Sequence, residues 1–188
     1  YGAEWYNNVP TFTDKAARHN ATLPFTRNVI GSMDYTPCAF SDSQHPHITT
    51  HAHELALTVI FESGIQHLAD RPESFLAQPQ AVRDFLSRLP TAWDETRLLS
   101  GYPAEYVVMA RRKGHKWYVA GINGTDEEKT LDFALLKKYV KKKKKVHLFL
   151  DSDDRSKSNW NLVLCDEIGE KDMKIKCQPR GGFVITIE

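Results

Sequence analysis

The stretch HPHITTHAHE, residues 45–54, places His45, His47, His51, His53 and Glu54 within ten positions, a density that raises metal-assisted hydrolysis as a first reading. His45-Pro46-His47 has the His-x-His form of zinc-binding pairs, and His51 with His53 repeats that spacing. If a helix begins at His51, residues two apart point about 200° apart and cannot share one ion. His47 and His51 have the spacing of four that a helical pair needs, but Thr49 and Thr50 disfavour a helix running through both. The competing reading is a loop and helix N-terminus rich in histidines that cap or pack, with Glu54 favoured by the dipole of the first turn.

A second candidate set lies upstream. Glu4 stands beside Trp5 and Tyr6 in YGAEWYNN, and His19, Arg27 and Asp34 follow within thirty residues. Carboxylates among aromatic and hydrogen-bonding groups suit a carbohydrate site, where apolar surroundings raise one carboxyl's pKa while another stays ionised, as glycosidic cleavage requires. Two glycosylation sequons occur, at Asn20-Ala21-Thr22 and Asn123-Gly124-Thr125. Neither a glycine-rich phosphate loop nor a Gly-x-Ser-x-Gly elbow is present, so nucleotide-dependent and serine-hydrolase chemistry have no support. The lysine run at 137–145 lacks a stacking platform and is followed by Asp151, Asp153 and Asp154, which reads as a solvated edge or hairpin tip.

The elements that must carry these residues change character along the 188-residue chain. From His51 to Leu68 the apolar positions Leu55, Val59, Ile60 and Leu68 follow a helical period, predicting one helix over 51–69 that ends at Asp70 to Pro72. A second helix is predicted in QPQAVRDFLSRLP, with Pro79 in its first turn, Val82, Phe85, Leu86 and Leu89 as its stripe and Pro90 as its stop. TRNVIGSM, residues 26–33, reads as a strand, and residues 34–50 form a long polar loop of the kind that often serves function. After residue 90 the period becomes two. EYVVMARRKGHKWYVAGING reads as a hairpin turning at Lys113-Gly114. Val146, Leu148 and Leu150 share one strand face, as do Met173, Ile175 and Cys177. The fold class is therefore α+β: residues 1–90 read as part of something larger, and residues 91–188 as an antiparallel β-sandwich.

Composition narrows the partners. With 41% hydrophobic and 26% charged residues and a net charge of +1, the chain shows no general attraction to nucleic acid or to a membrane, and no run reaches the roughly 18 apolar residues of a membrane helix. Of three cysteines, too few for a disulfide scaffold, Cys165 and Cys177 fall in strand-like segments and are the candidates for a pair in an oxidising compartment, while Cys38 is the third and one thiol must stay unpaired within the monomer. The chain opens at Tyr1 without an initiator methionine or a leader-like segment, so we expect residues upstream of it and read no targeting from this end.

Four stretches, LPFTRNVIGSMDYTP, HELALTVIFESGIQHLADRPESF, LPTAWDETRLLSGYPAEYVVMARR and WYVAGING, closely resemble glycoside hydrolase family 97, and the similarity covers nearly the whole chain, loosely over 137–180. The resemblance implies the last part of a catalytic (β/α)8 barrel, residues 1–90, followed by the family's C-terminal β-sandwich, residues 91–188. It implies a bacterial, periplasmic or secreted, calcium-dependent exo-acting hydrolase of α-glucosides or α-galactosides. Glu4 then matches a glutamate that is catalytic and, in inverting members, also binds calcium, while His19, Arg27 and Asp34 match substrate-site motifs. Arg18 stands where typical members have a glutamate. HPHITTHAHE becomes the loop and start of the last barrel helix. As an isolated polypeptide the chain is expected to be inert, and an open barrel edge favours a homodimer. An alternative is a carbohydrate-binding or structural β-sandwich without catalysis, with Trp117, Tyr118 and Trp160 as exposed aromatics and one of Trp117 and Tyr118 turned to the core.

Overall fold

In the computed structural model, which describes residues 9–36, 38–42, 46–140, 145–169 and 173–188, the period-two region forms eight strands among those residues. They are β1 (Glu95–Tyr102), β2 (Tyr106–Lys113), β3 (Lys116–Asn123), β4 (Lys129–Asp132), β5 (Val146–Asp151), β6 (Trp160–Cys165), β7 (Lys174–Cys177) and β8 (Gly182–Ile187). Six make one antiparallel sheet in the order β1-β2-β3-β8-β5-β6, and β4 pairs with β7 in a second, two-stranded sheet. The alternation sorts side chains between two cores. Trp117, Val119, Phe183, Ile185, Val146 and Leu148 face the small sheet, while Tyr118, Ala120, Ile122, Val184 and Phe149 face the helices. The large sheet is therefore covered on both sides, and Trp117 and Tyr118, expected to divide between core and solvent, are both buried.

The helical region differs from its sequence reading in three places. The helix α4 spans His51–Ile60, following the short α1 (Pro10–Thr13), α2 (Ala16–Asn20) and α3 (Arg27–Ile30), and it stops nine residues before the predicted end. Phe61 turns extended at φ −81°, ψ 133°, its ring packing edge-on against Tyr35 at 4.6 Å, and the low helix propensity of Ser63-Gly64 follows. Ile65 and Leu68, which continued the apparent stripe, are 67% and 46% exposed. Second, TRNVIGSM holds the one-turn helix α3 rather than a strand. Arg27 donates to the carbonyls of Gly31 (3.2 Å) and Ser32 (3.0 Å), satisfying groups at the helix end, and Gly31 takes φ 151°, ψ −170°, a region only glycine enters readily. Third, an additional helix α5 (Pro72–Leu76) begins where a break was expected, with Pro72 in its first turn and Glu73 behind it. The second predicted helix, α6 (Gln80–Ser87), is present, with Val82 and Phe85 buried and Leu86 and Leu89 packed at the core's edge; Pro79 is its N-cap rather than part of its first turn.

α4 lies across β3 and β8, so its apolar residues and one face of the large sheet form a single core. Gly182 makes the approach feasible, because a Cβ there would lie 2.9 Å from the His53 Cα and 2.8 Å from the Gly121 carbonyl. Beyond α4 the chain runs beside residues 33–35: the Met33 N–H donates to Glu62 O (2.9 Å), the His67 N–H to Tyr35 O (3.2 Å), and Tyr35 and Gln66 form a parallel bridge. Two extended segments joined by a helix and running parallel have the connectivity of a βαβ unit.

Candidate functional site

The described histidines of HPHITTHAHE, His47, His51 and His53, each contact groups of the protein itself. His47 lies between the Asp42 carboxylate and the Ala39 carbonyl. His51 donates through Nε2 to Phe40 O at 2.9 Å and packs its ring against Phe40 and Trp160. His53 accepts at Nε2 from the Asn20 amide (3.1 Å), which leaves Nδ1 to donate to Gly181 O (3.2 Å) and fixes the neutral tautomer. Burial pushes both His51 and His53 down to about 4, because a buried imidazolium loses its hydration. Among the described residues no group of three or more His, Cys, Asp and Glu could hold an ion; His45 lies outside those residues.

These contacts fasten α4 to the sheet at both ends. At its start, the Thr50 hydroxyl accepts from the His53 N–H as N-cap and donates to Asp151 Oδ1 at 2.5 Å. Asp151 also accepts from the Gln178 N–H (2.8 Å) and the Gly182 N–H (3.1 Å). Burial raises its carboxyl to about 6 against the pull of these donors. At its end, Arg111, 2% exposed, donates to Ile60 O (3.0 Å), pairs with Glu62 and lies over Trp93. Nothing in the sequence period marked Asp151 or Arg111; an Asp closing a strand and an Arg at an inward strand position were the available signals. Asp70 ties the 38–42 segment to α5, accepting from the N–H groups of Phe40 and Ser41 (2.7 Å each) and the hydroxyl of Ser74 (2.7 Å). Partial burial works against ionisation there, and the hydrogen bonds from Ser74, Ser41, Arg71 and Phe40 outweigh it, holding the carboxyl at about 2.

The carbohydrate-site candidates lie elsewhere. Glu4 falls outside the described residues. His19 sits half-buried on α2, its pKa lowered chiefly by burial, and Arg27 is spent on the turn after α3. Asp34 is exposed and lies 3.6 Å from His67 Nε2. Asp34 precedes the bridge residue Tyr35 and His67 follows its partner Gln66, so the two side chains meet beside that bridge. His67 was missed by sequence reasoning because it was assigned to a helix.

Burial and pairing place the remaining sequence features. Asn20 and Asn123 of the two sequons are 3% and 0% exposed, and Asn123 Nδ2 donates to Glu127 O and Gln178 O, so neither amide is open to a glycosyl donor. With Trp117 and Tyr118 buried and the Trp160 N–H donated to Gln78 at 2.9 Å, the three aromatics proposed for sugar stacking form no exposed platform. Cys165 and Cys177 are free thiols, one on the large sheet opposite Val146 and the other on the small sheet opposite Lys129.

Comparison with known proteins matches residues 92–188 to the family model described as the glycosyl-hydrolase 97 C-terminal, oligomerisation domain. A probable retaining α-galactosidase of Streptomyces bingchenggensis is 57% identical over 105 residues, which covers 56% of this chain and 16% of the relative. A retaining α-galactosidase of Bacteroides thetaiotaomicron is 33% identical over 187 residues, 91% of this chain and 27% of the relative. A crystallised β-arabinopyranosidase superposes with a TM-score of 0.86 at 30% identity, covering 98% of this chain and 30% of that one. The chain thus spans less than a third of each of these three proteins. On the family model and the Bacteroides relative together, the chain belongs to glycoside hydrolase family 97.

Proposed function

We propose that the chain is the C-terminal part of a retaining exo-acting α-glycosidase whose sugar is an α-galactoside, with α-glucosides as the second class. The observation that carries this reading is the 33% identity to a retaining α-galactosidase across 91% of the chain. The β-arabinopyranosidase supports the same choice, because an L-arabinopyranose ring has the hydroxyl configuration of galactopyranose without its C6 carbon. In this reading residues 1–90 complete a (β/α)8 barrel, an assignment supported by the parallel bridge Tyr35–Gln66 with α4 between its segments. Asp34 and His67 then belong to the rim that holds sugar hydroxyls, Glu4 serves at the catalytic centre, and His19 and Arg27 position the loops around it.

Retention requires two carboxyl groups about 5 Å apart, one attacking the anomeric carbon and one protonating the leaving oxygen before activating water. The nucleophile is assigned upstream of residue 1. Among the described residues no group of three or more His, Cys, Asp and Glu could hold an ion; we propose that the calcium is held by other parts of the enzyme, with Glu4 as a further ligand if the enzyme inverts. The complete protein is placed in the periplasm or outside a bacterial cell, as a homodimer.

The test is turnover of p-nitrophenyl α-galactopyranoside and α-glucopyranoside by the complete polypeptide, with and without chelator. Faster cleavage of the galactoside and silence from the 188-residue chain are expected. Turnover by that chain alone, or a preference for the glucoside, contradicts the proposal.

A further inference from the structure

The two edges of the six-stranded sheet are built differently. At one, β1 carries Glu95 and Arg97 and a break in register between Leu98 and Ser100, the devices that keep sheet edges from pairing with other sheets. At the other, β6 reads Trp-Asn-Leu-Val-Leu-Cys, with no charge, no proline and an unbroken register against β5. Leu162, Val163 and Leu164 are 37%, 40% and 69% exposed. Leu162 and Leu164 stand opposite Phe149 and His147 on the face that carries the helices, and Val163 stands beside Leu148 on the other. Apolar side chains therefore flank both faces of an edge whose outer backbone groups pair with no strand among the described residues.

We propose that β6 is the surface through which two copies of this chain associate, pairing antiparallel about a two-fold axis near Leu162 and Val163 to make one continuous sheet. This rests on the homodimer reading above and gives it a location. A second copy is favoured over a foreign peptide on two grounds. The matched domain is described by oligomerisation, and the charges flanking the strand are self-complementary. Lys157, whose ammonium makes only a long 3.4 Å contact to the carbonyl of His47, is the nearest charge before β6, and Asp166 and Glu167 follow the strand directly. An antiparallel two-fold pairing sets the start of each strand beside the end of the other, bringing Lys157 to Glu167 of the second copy, whereas a parallel pairing would set like beside like. Asp153 and Asp154 also precede the strand but are engaged within their own turn, by Asn161 and by Ser152, Ser156 and Asn159.

The experiment is sedimentation of the complete polypeptide over a range of concentrations, for the unmodified protein, for Leu162→Lys with Leu164→Lys, and for Leu98→Lys on the β1 edge. We expect a dimer whose dissociation constant rises at least a hundredfold in the β6 variant and stays unchanged in the β1 variant. A β6 variant that remains dimeric overturns the assignment of the surface while leaving the homodimer standing. An unmodified protein that stays monomeric at every concentration overturns both. Should circular dichroism show the double variant unfolded, Leu162→Cys and Val163→Cys decide: oxidation to a disulfide-linked dimer in at least one supports the axis, and monomer in both overturns it.

Discussion

Residues 95–188 and residues 9–90 spend their apolar side chains differently. In the strand region the central strand β3 is buried along almost its whole length, and the exposed large apolar side chains, Leu98, Tyr102, Leu162, Val163 and Leu164, all lie on the two edge strands of the large sheet. In the helical region α4 is buried at nine of its ten positions, yet Val29, Ile30, Ile65, Leu68 and Leu76 stand 72%, 85%, 67%, 46% and 65% exposed. Single exposed apolar residues are ordinary, but a concentration of them marks a contact surface. The difference teaches that the division of the sequence into halves is not the division of the core. α4 shares one core with the sheet, and the segments around it carry exposed apolar side chains.

The comparison breaks most sharply at α4. Leu57 is fully buried between helix and sheet, so Leu57→Ala should cost about 3 kcal/mol through lost burial and a cavity. Calorimetry should show one cooperative transition moving to lower temperature; two transitions, with the strand region's unchanged, would mean that α4 folds apart from the sheet. Arg111→Ala should cost about 2–4 kcal/mol, because it leaves the Ile60 carbonyl and Glu62 without their partner. Denaturant titration at constant m-value reads this effect.

Acid sharpens the same joint. His51 and His53, held near 4, take up protons on unfolding below their ordinary 6.5, so the stability they contribute is complete above pH 6.5 and lost as the pH falls through about 4. Asp151, raised to about 6, has the opposite sign: its contribution is complete below about 3.8 and lost as the pH rises through about 6. Two protons against one leave a net loss on acidification of at most about 1.4 kcal/mol per pH unit between 6 and 4. Asp151→Asn should steepen that acid limb, and an unchanged slope in urea titrations would remove Asp151 from the joint. The smallest effect belongs to the open surface. Val29→Ser with Ile30→Ser should change the melting free energy by less than about 0.5 kcal/mol while reducing dye binding to exposed apolar surface; a large loss of stability would show that these residues pack inside the chain.

Period two did not mark β1 or β4, but it read the other strands, and Val146, Leu148 and Leu150, like Met173, Ile175 and Cys177, lie together as the pattern required. Period 3.6 was enough for α6 and for the body of α4. It failed beyond Ile60, where exposed Ile65 and Leu68 happened to continue the spacing, and at Val29-Ile30, where β-branched residues suggested a strand but Arg27 stabilises a helical turn. The histidine cluster was legible as packing through its spacing, whereas its partners were not, since Gly181 lies 128 residues from His53. Asp34 was legible as a candidate through its motif. His67 became one only when the parallel pairing brought it alongside.

The measurement closest to the central claim is the turnover of α-galactoside by the complete polypeptide carrying Glu4→Gln, with folding checked by its melting temperature. The account predicts a fall in kcat of at least about a thousandfold at unchanged stability, the scale expected for loss of a carboxyl acting on the glycosidic bond. An unchanged kcat would contradict it and remove these residues from the catalytic centre.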